Sequence, residues 1–265
     1  MRADPTLALQ KIGAAMQFHR RCSFPLPVVR IFLTVAALTL VSACAITSQV
    51  KAQTAAGAGQ GQFPVGDASI SLPAPPGQGL VELGNGRGYF DAAVPDSNRL
   101  MAAFVLEKDV PALHTGAGKV LTPYALVETL RAAENSSVSA SDFKDLVDSV
   151  SKQIGAVLDS SFKESEDSFN QRMKSMNLNA QVSFGKPVTL GTFFQKTDAY
   201  AFGMMAPVTA NGTTTNMVVG TILLRVKSHI VFAYFYTVYK DDQTPGEVRA
   251  MSEHWTDAIL GANAQ

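Results

Sequence analysis

The sequence predicts an α+β protein: an antiparallel β-sheet that ends in a C-terminal meander and is covered by helices, in one sandwich-like domain. Three observations predict it. Residues 216–239 read as two β-strands joined by a tight turn at Lys227, Ser228 and His229, with β-branched and aromatic residues throughout. In the second strand Ile230, Phe232, Tyr234, Tyr236 and Val238 point one way, and Val231, Ala233, Phe235 and Thr237 the other. Both sets are largely apolar, the pattern of a central strand covered on both faces. Phe143, Leu146, Val147, Val150, Ile154, Val157 and Leu158 follow helical spacing and form one apolar stripe. The order of elements, strands, then one long helical region, a meander and a closing helix, completes the argument.

The chain has 265 residues, 46% hydrophobic and 17% charged, with a formal net charge of zero. That composition is globular and long enough for one good-sized core. The zero hides an asymmetry. Residues 1–45 hold Arg2, Lys11, Arg20, Arg21 and Arg30 against Asp4, a net +4, which leaves 17 basic and 21 acidic residues, a net −4, for the body. A mildly acidic body without a basic stripe argues against nucleic acid as a partner. The two cysteines, Cys22 and Cys44, both precede the body, which therefore has no internal disulfide, cysteine nucleophile or cysteine metal site.

Arg20, Arg21 and Arg30 lead into the apolar run 31–43. The run is shorter than the roughly 20 residues a spanning helix needs and lacks the polar stripe of a core helix. Its basic flank and small-residue end fit a secretory signal over residues 1–45, with Met16 an alternative start of translation. Val41, Ser42, Ala43 and Cys44 resemble the lipobox of bacterial lipoproteins: an aliphatic residue, two small residues, then the cysteine that is acylated as the new N-terminus. The resemblance implies lipidation at Cys44 and, with Ala45 rather than aspartate next, delivery to the outer membrane facing the periplasm. Ala43, Cys44 and Ala45 equally satisfy ordinary signal cleavage after Ala45. Residues 45–62 are small and amide-rich with little to bury, the composition of a flexible tether. The domain itself is expected over 63–262.

Within it, residues 67–72 read as a first strand, ended by the Pro/Gly-rich stretch 73–79. Residues 80–83 form a short edge piece. The glycines of 84–88 lack the following helix start that a phosphate loop requires, and read as a plain loop. Residues 99–107 and 121–130 are strands, the latter with Tyr124, Leu126, Glu128 and Leu130 on one face and Ala125, Val127 and Thr129 on the other. Ser139 or Ser141 caps the long helix, and Asp142 and Asp145 suit its N-terminal dipole. With Asp148 they make a solvated face, Asp148 sitting four residues before Lys152. A second helical stretch carries Phe162, Phe169, Met173 and Met176, either joined to the first or broken from it at residues 159–161. Strands follow at 182–190 and 199–208, and Asn211-Gly212 is a hairpin turn signal before the opening pair. A last helix after Thr244 carries Val248, Met251, Trp255 and Ile259 on one face, with Trp255 as its core anchor. The C-terminal pattern resembles the PsbP-like group, whose α/β sandwich has an antiparallel sheet covered by helices. That likeness rests on element order, so no functional residue is carried across.

No metal or cofactor is expected. The body's histidines, His114, His229 and His254, lie far apart without ligand-spaced partners, and His229 and His254 are expected at the surface. No nucleophile elbow, Walker loop or zinc-protease helix motif occurs. Three functions remain. The first is an exported, lipid-anchored, non-catalytic domain that binds an envelope protein or component. The second is a periplasmic small-molecule binder whose pocket is lined by Tyr234 and Tyr236, since tyrosines combine apolar area with hydroxyl handles; against it, strand tyrosines are commonly core. The third is an envelope hydrolase assembled from distant residues.

Overall fold

In the computed structural model the described residues are 60–81, 90–91, 94–111, 122–175, 182–210 and 212–264, without the side chains of 60, 155–165, 168 and 173. Ten strands are β1 (Gln60–Val65), β2 (Ala68–Pro73), β3 (Gln78–Leu80), β4 (Asn98–Leu106), β5 (Tyr124–Leu130), β6 (Val182–Phe184), β7 (Val188–Lys196), β8 (Ala199–Ala210), β9 (Thr213–Val226) and β10 (His229–Val238). The two long helices are α1 (Ala140–Ser175) and α2 (Thr244–Ala262). An eight-stranded sheet runs β3-β4-β5-β10-β9-β8-β6, with β7 also on β8, and β1 and β2 form a separate hairpin. Every pairing is antiparallel. The fold is thus the α+β arrangement that the sequence predicts, an antiparallel sheet with helices on it.

β10 takes the central place because both its edges are paired and both its faces are apolar. It bonds β9 along its whole length and β5 from Phe232 to Tyr236. On one face Ile230, Phe232, Tyr234 and Tyr236 join Leu126, Leu223 and Tyr200 beneath Phe143, Leu146, Val147 and Val150 of α1. On the other, Val231, Ala233 and Phe235 join Val127, Ile222 and Phe104 beneath Val248, Trp255 and Ile259 of α2. The β1–β2 hairpin adds Val65, Ile70 and Leu72 to this second core.

The α2 layer is held by specific side-chain contacts. Trp255 packs edge-on against Phe104 at 5.9 Å, and its ring N–H donates to the Pro73 carbonyl at 2.7 Å. The Asn263 side chain pairs with Ser71 as a strand would, accepting from its N–H at 2.9 Å and donating to its carbonyl at 2.8 Å. Gly220 of β9 lets α2 approach, because a Cβ there would collide with Ser252 Oγ and crowd Val248.

Several local expectations change. β1 takes in Gln60–Gln62, which the sequence reading leaves in the tether, and Asn263 is buried just beyond 262. Residues 182–190 are two strands rather than one, split at Gly185, whose N–H turns to donate to the Pro207 carbonyl at 2.8 Å. Asp148 pairs with Lys144 at 2.7 Å, one turn before it, rather than with Lys152. Ser139 is the helix cap: its hydroxyl accepts from the Asp142 N–H at 3.1 Å. The β9–β10 turn contains two residues, Lys227 and Ser228, so His229 belongs to the strand and is buried, not at the surface. Its Nε2 meets Asp67 Oδ1 at 3.0 Å, tying the β1–β2 turn to β10.

Both turn residues have positive φ, 47° and 65°. This is the geometry of a type I′ hairpin, in which side chains are strained and Asn-Gly is favoured. Ser228→Gly is therefore expected to stabilise the fold by about 1 kcal/mol. Gly220→Val, by overfilling the α2 contact, is expected to cost about 1–3 kcal/mol. Urea unfolding followed by the fluorescence of Trp255, the one tryptophan of the chain, measures both.

Candidate functional site

The α1-covered face of the sheet is apolar except along one diagonal. β5 points Tyr124, Leu126, Glu128 and Leu130 at α1, and the alternation makes Glu128 a carboxyl among core residues. Glu128 has no solvent exposure. Its register partner on β10 is Phe232. Two residues further along β10, on the same face, lies Tyr234, and directly opposite Tyr234 on β9 lies Thr221. Tyr234 is likewise fully buried, and Thr221 nearly so.

The fold satisfies only part of this group. Asn98 of β4 donates through Nδ2 to Glu128 Oε2 at 2.9 Å, and its own Oδ1 accepts from the Ser97 hydroxyl at 3.0 Å. Glu128 Oε1, Tyr234 Oη and Thr221 Oγ1 are buried without a hydrogen-bond partner. Each such atom costs about 1–3 kcal/mol. Around them the aromatic packing is dense. Tyr236 stacks on its cross-strand neighbour Tyr124 with centroids 4.4 Å apart and planes within 11°, and Tyr234 leans on Tyr236 at 6.2 Å. Phe90 reaches Tyr124 at 6.0 Å. Along the sheet, the Tyr200 hydroxyl is paired with Thr192 at 3.2 Å.

Electrostatics follow from the burial. Loss of water pushes the Glu128 carboxyl up to about 8, against the opposing pull of the Asn98 hydrogen bond and the Arg172 charge. Glu128 is therefore largely protonated at pH 7, an O–H donor as well as an acceptor. Burial, and then Glu128, raises the Tyr234 hydroxyl well above its ordinary range; burial, Tyr124, Glu128 and Tyr234 do the same for Tyr236. Arg172, half-buried on α1, is lowered by burial, with Asp96 and Glu128 opposing that shift.

Both tyrosines named from the sequence thus lie on this face beside Glu128. The histidines do not meet there: His229 sits at the start of β10 against Asp67, His254 is exposed on α2, and His114 lies outside the described residues, as does Cys44. Among the described residues, no group of three or more His, Cys, Asp or Glu side chains could hold a metal ion. No described helix is long and apolar enough to cross a membrane. Glu128, Asn98 and Thr221 were not singled out by sequence reasoning. The signal for Glu128 was the lone charge in an otherwise apolar alternating set.

No family model matches the chain, and no curated protein does. Among solved structures it is similar to the Ran-binding protein Mog1p of Saccharomyces cerevisiae, at 11% identity over 78% of this chain and 95% of that one, with a TM-score of 0.29. A point mutant of the protein Mog1 gives 12% identity, 77% and 92% coverage and a TM-score of 0.27. Likeness at that level carries nothing about function.

One consequence of the site is measurable without a ligand. The folded Glu128 holds its proton up to about pH 8, whereas an unfolded glutamate releases it near 4.5. Between those values unfolding releases a proton, so stability is full below about 4.5, falls as pH rises and levels off above about 8. At pH 7 the loss relative to pH 4 is on the order of 3 kcal/mol. Glu128→Gln is expected to remove most of that slope in urea unfolding across pH 4–9.

Proposed function

We propose that this chain is an exported, non-catalytic binding domain, held at the bacterial envelope by acylation of Cys44, that takes up a small molecule between its sheet and α1. The leader, the lipobox-like residues Val41 to Cys44 and the small-residue stretch after them support the export and the anchor. The first described strand begins at Gln60, near the end of that stretch, whose composition suits a tether between domain and membrane. Of the two binding readings, an envelope protein or a small molecule, one observation favours the second. Glu128, Tyr234 and Thr221 put unpartnered oxygens in the middle of an aromatic core face, where a protein surface cannot reach them but a small ligand would satisfy them.

Mature protein recovered from the membrane fraction, weighed intact beside a Cys44→Ser form, tests the anchor. The expected result is an acyl-modified N-terminal Cys44, with the Cys44→Ser protein released to the soluble fraction. A wild-type chain beginning at Ile46 and recovered in soluble form would sink the anchor. Native mass spectrometry of the same material tests the binding reading, with a non-covalent small-molecule adduct expected on the wild type and absent from Tyr234→Phe. The same adduct on both proteins would place binding elsewhere.

A further inference from the structure

A strand at the border of a sheet presents a row of backbone N–H and C=O groups onto which another strand can pair. β6 is such a strand, because it pairs with β8 alone. Alternate residues of an antiparallel strand turn both backbone groups to the same side, and in β6 Val182 and Phe184 turn theirs away from β8. Side chains of α1 meet them there. Asn170 Oδ1 accepts from the Val182 N–H at 2.9 Å, and Asn170 Nδ2 donates to the Val182 carbonyl at 2.7 Å. One turn earlier on α1, Glu166 Oε2 accepts from the Phe184 N–H at 2.7 Å. The spacings match: four residues rise about 6 Å along a helix, and two residues span about 6.7 Å along a strand. Phe169, fully buried, sets the rotation of α1 by packing edge-on against Phe184 with centroids 6.3 Å apart. The border of β2 is closed in the same manner. Asn263 clasps Ser71, Trp255 donates to the Pro73 carbonyl, and Lys227 Nζ donates to the Ser69 carbonyl at 2.9 Å. β7, on the same side of β8 as β6, is broken by two register shifts, which spoil it as a template. β6 has no such irregularity.

We propose that the distal half of α1 is a guard on this edge: Asn170 and Glu166 stand in for the next strand and close β6 to a second copy of this chain. A second copy is the partner the edge fits, because the edge is complementary to itself. Two β6 strands related by a two-fold axis beside Ser183 set the outward groups of Val182 against those of Phe184 in the copy, and Ser183 against Ser183. The Val182 and Phe184 side chains lie together on the α1-covered face and meet their counterparts there as an apolar cross-strand pair. While α1 is in place, Asn170 holds both backbone groups of Val182 and no strand can add. The guard is a contact that must open first, and it depends neither on the anchor at Cys44 nor on a bound small molecule.

Asn170→Ala combined with Glu166→Ala removes the guard and keeps the helix, since alanine is the best helix former. The mature protein in its Cys44→Ser form, which cannot be acylated there, is the parent. In dilute solution the Val182 and Phe184 amides of the double variant are expected to exchange with deuterium about tenfold or more faster than in the parent. As the concentration rises, sedimentation velocity is expected to show a dimer of the variant but not of the parent, with both amides slowing again. Ser183 is exposed, and adding Ser183→Lys sets like charges against each other across the two-fold axis. That change is expected to restore the monomer while the amides stay fast. Should the double variant not fold, Asn170→Asp, which keeps the shape and turns a carboxylate oxygen to the Val182 carbonyl, is measured in its place. A folded variant that stays monomeric at every concentration, or whose dimer survives Ser183→Lys, would overturn the proposal. So would Val182 and Phe184 amides that keep the parent's exchange rate.

Discussion

Everything in this structure depends on β10 being hydrogen-bonded along both edges and buried on both faces. Its backbone groups are satisfied by β9 along its length and by β5 from Phe232 to Tyr236, so the strand can lie in the middle of the molecule with residues 229–236 buried. That position fixes which residues share an environment. The even-numbered residues of β10 look at α1 and the odd-numbered ones at α2, and a slip of one residue would exchange the two cores. The register is held at the Lys227–Ser228 turn, where the Ser228 carbonyl also accepts the Val138 N–H at 2.7 Å, just before α1 begins. The turn therefore positions the helix as well as the strand.

The same constraint makes Glu128 unusual. A carboxyl on an edge strand would turn to water; on β5, paired with β10 on one side and β4 on the other, it cannot. Asn98, paired with Leu130 two residues along β5, reaches it as a diagonal neighbour. The hydrogen bond and the Arg172 charge offset part of the desolvation and burial exceeds both, so the proton stays on the carboxyl. A polar site on a sheet centre follows from strand order and not from any local motif.

What was legible in the sequence was whatever repeats at short range. The alternation of residues 230–238 gave a two-faced central strand, and the stripe from Phe143 to Ile154 gave the helix that covers it. Trp255 on the closing helix was readable as an anchor for the same reason. What depends on distant partners was not readable. β1 has too weak an alternation to announce itself and is a strand because β2 pairs it, while Arg99 donates to the Pro64 carbonyl at 2.7 Å. His229 looks like a turn residue until Asp67, far away in the chain, is seen to meet it. Glu128 had a visible face but an invisible depth, since its burial is set by β4, β10 and α1 together.

The two cores also differ in where their leftover polar atoms stand. On the α2 side Ser252 Oγ and Thr256 Oγ1 of the helix, and Gln78 Oε1 and His229 Nδ1 of the strands, are buried without partners. The two hydroxyls stand on a helix, where a change of rotamer brings each to the carbonyl one turn back. Asn263 closes that layer by clasping Ser71, and Gly220 admits α2 to close contact with β9. Glu128, Tyr234 and Thr221 have no such internal remedy. Strand carbonyls on either side are committed to the ladder, and the tyrosine hydroxyl lies too far from its own backbone to reach it. A fold that keeps three oxygens in this state at its centre carries several kcal/mol of unmet hydrogen bonding. A polar partner for these O–H groups, donor or acceptor, would remove that cost.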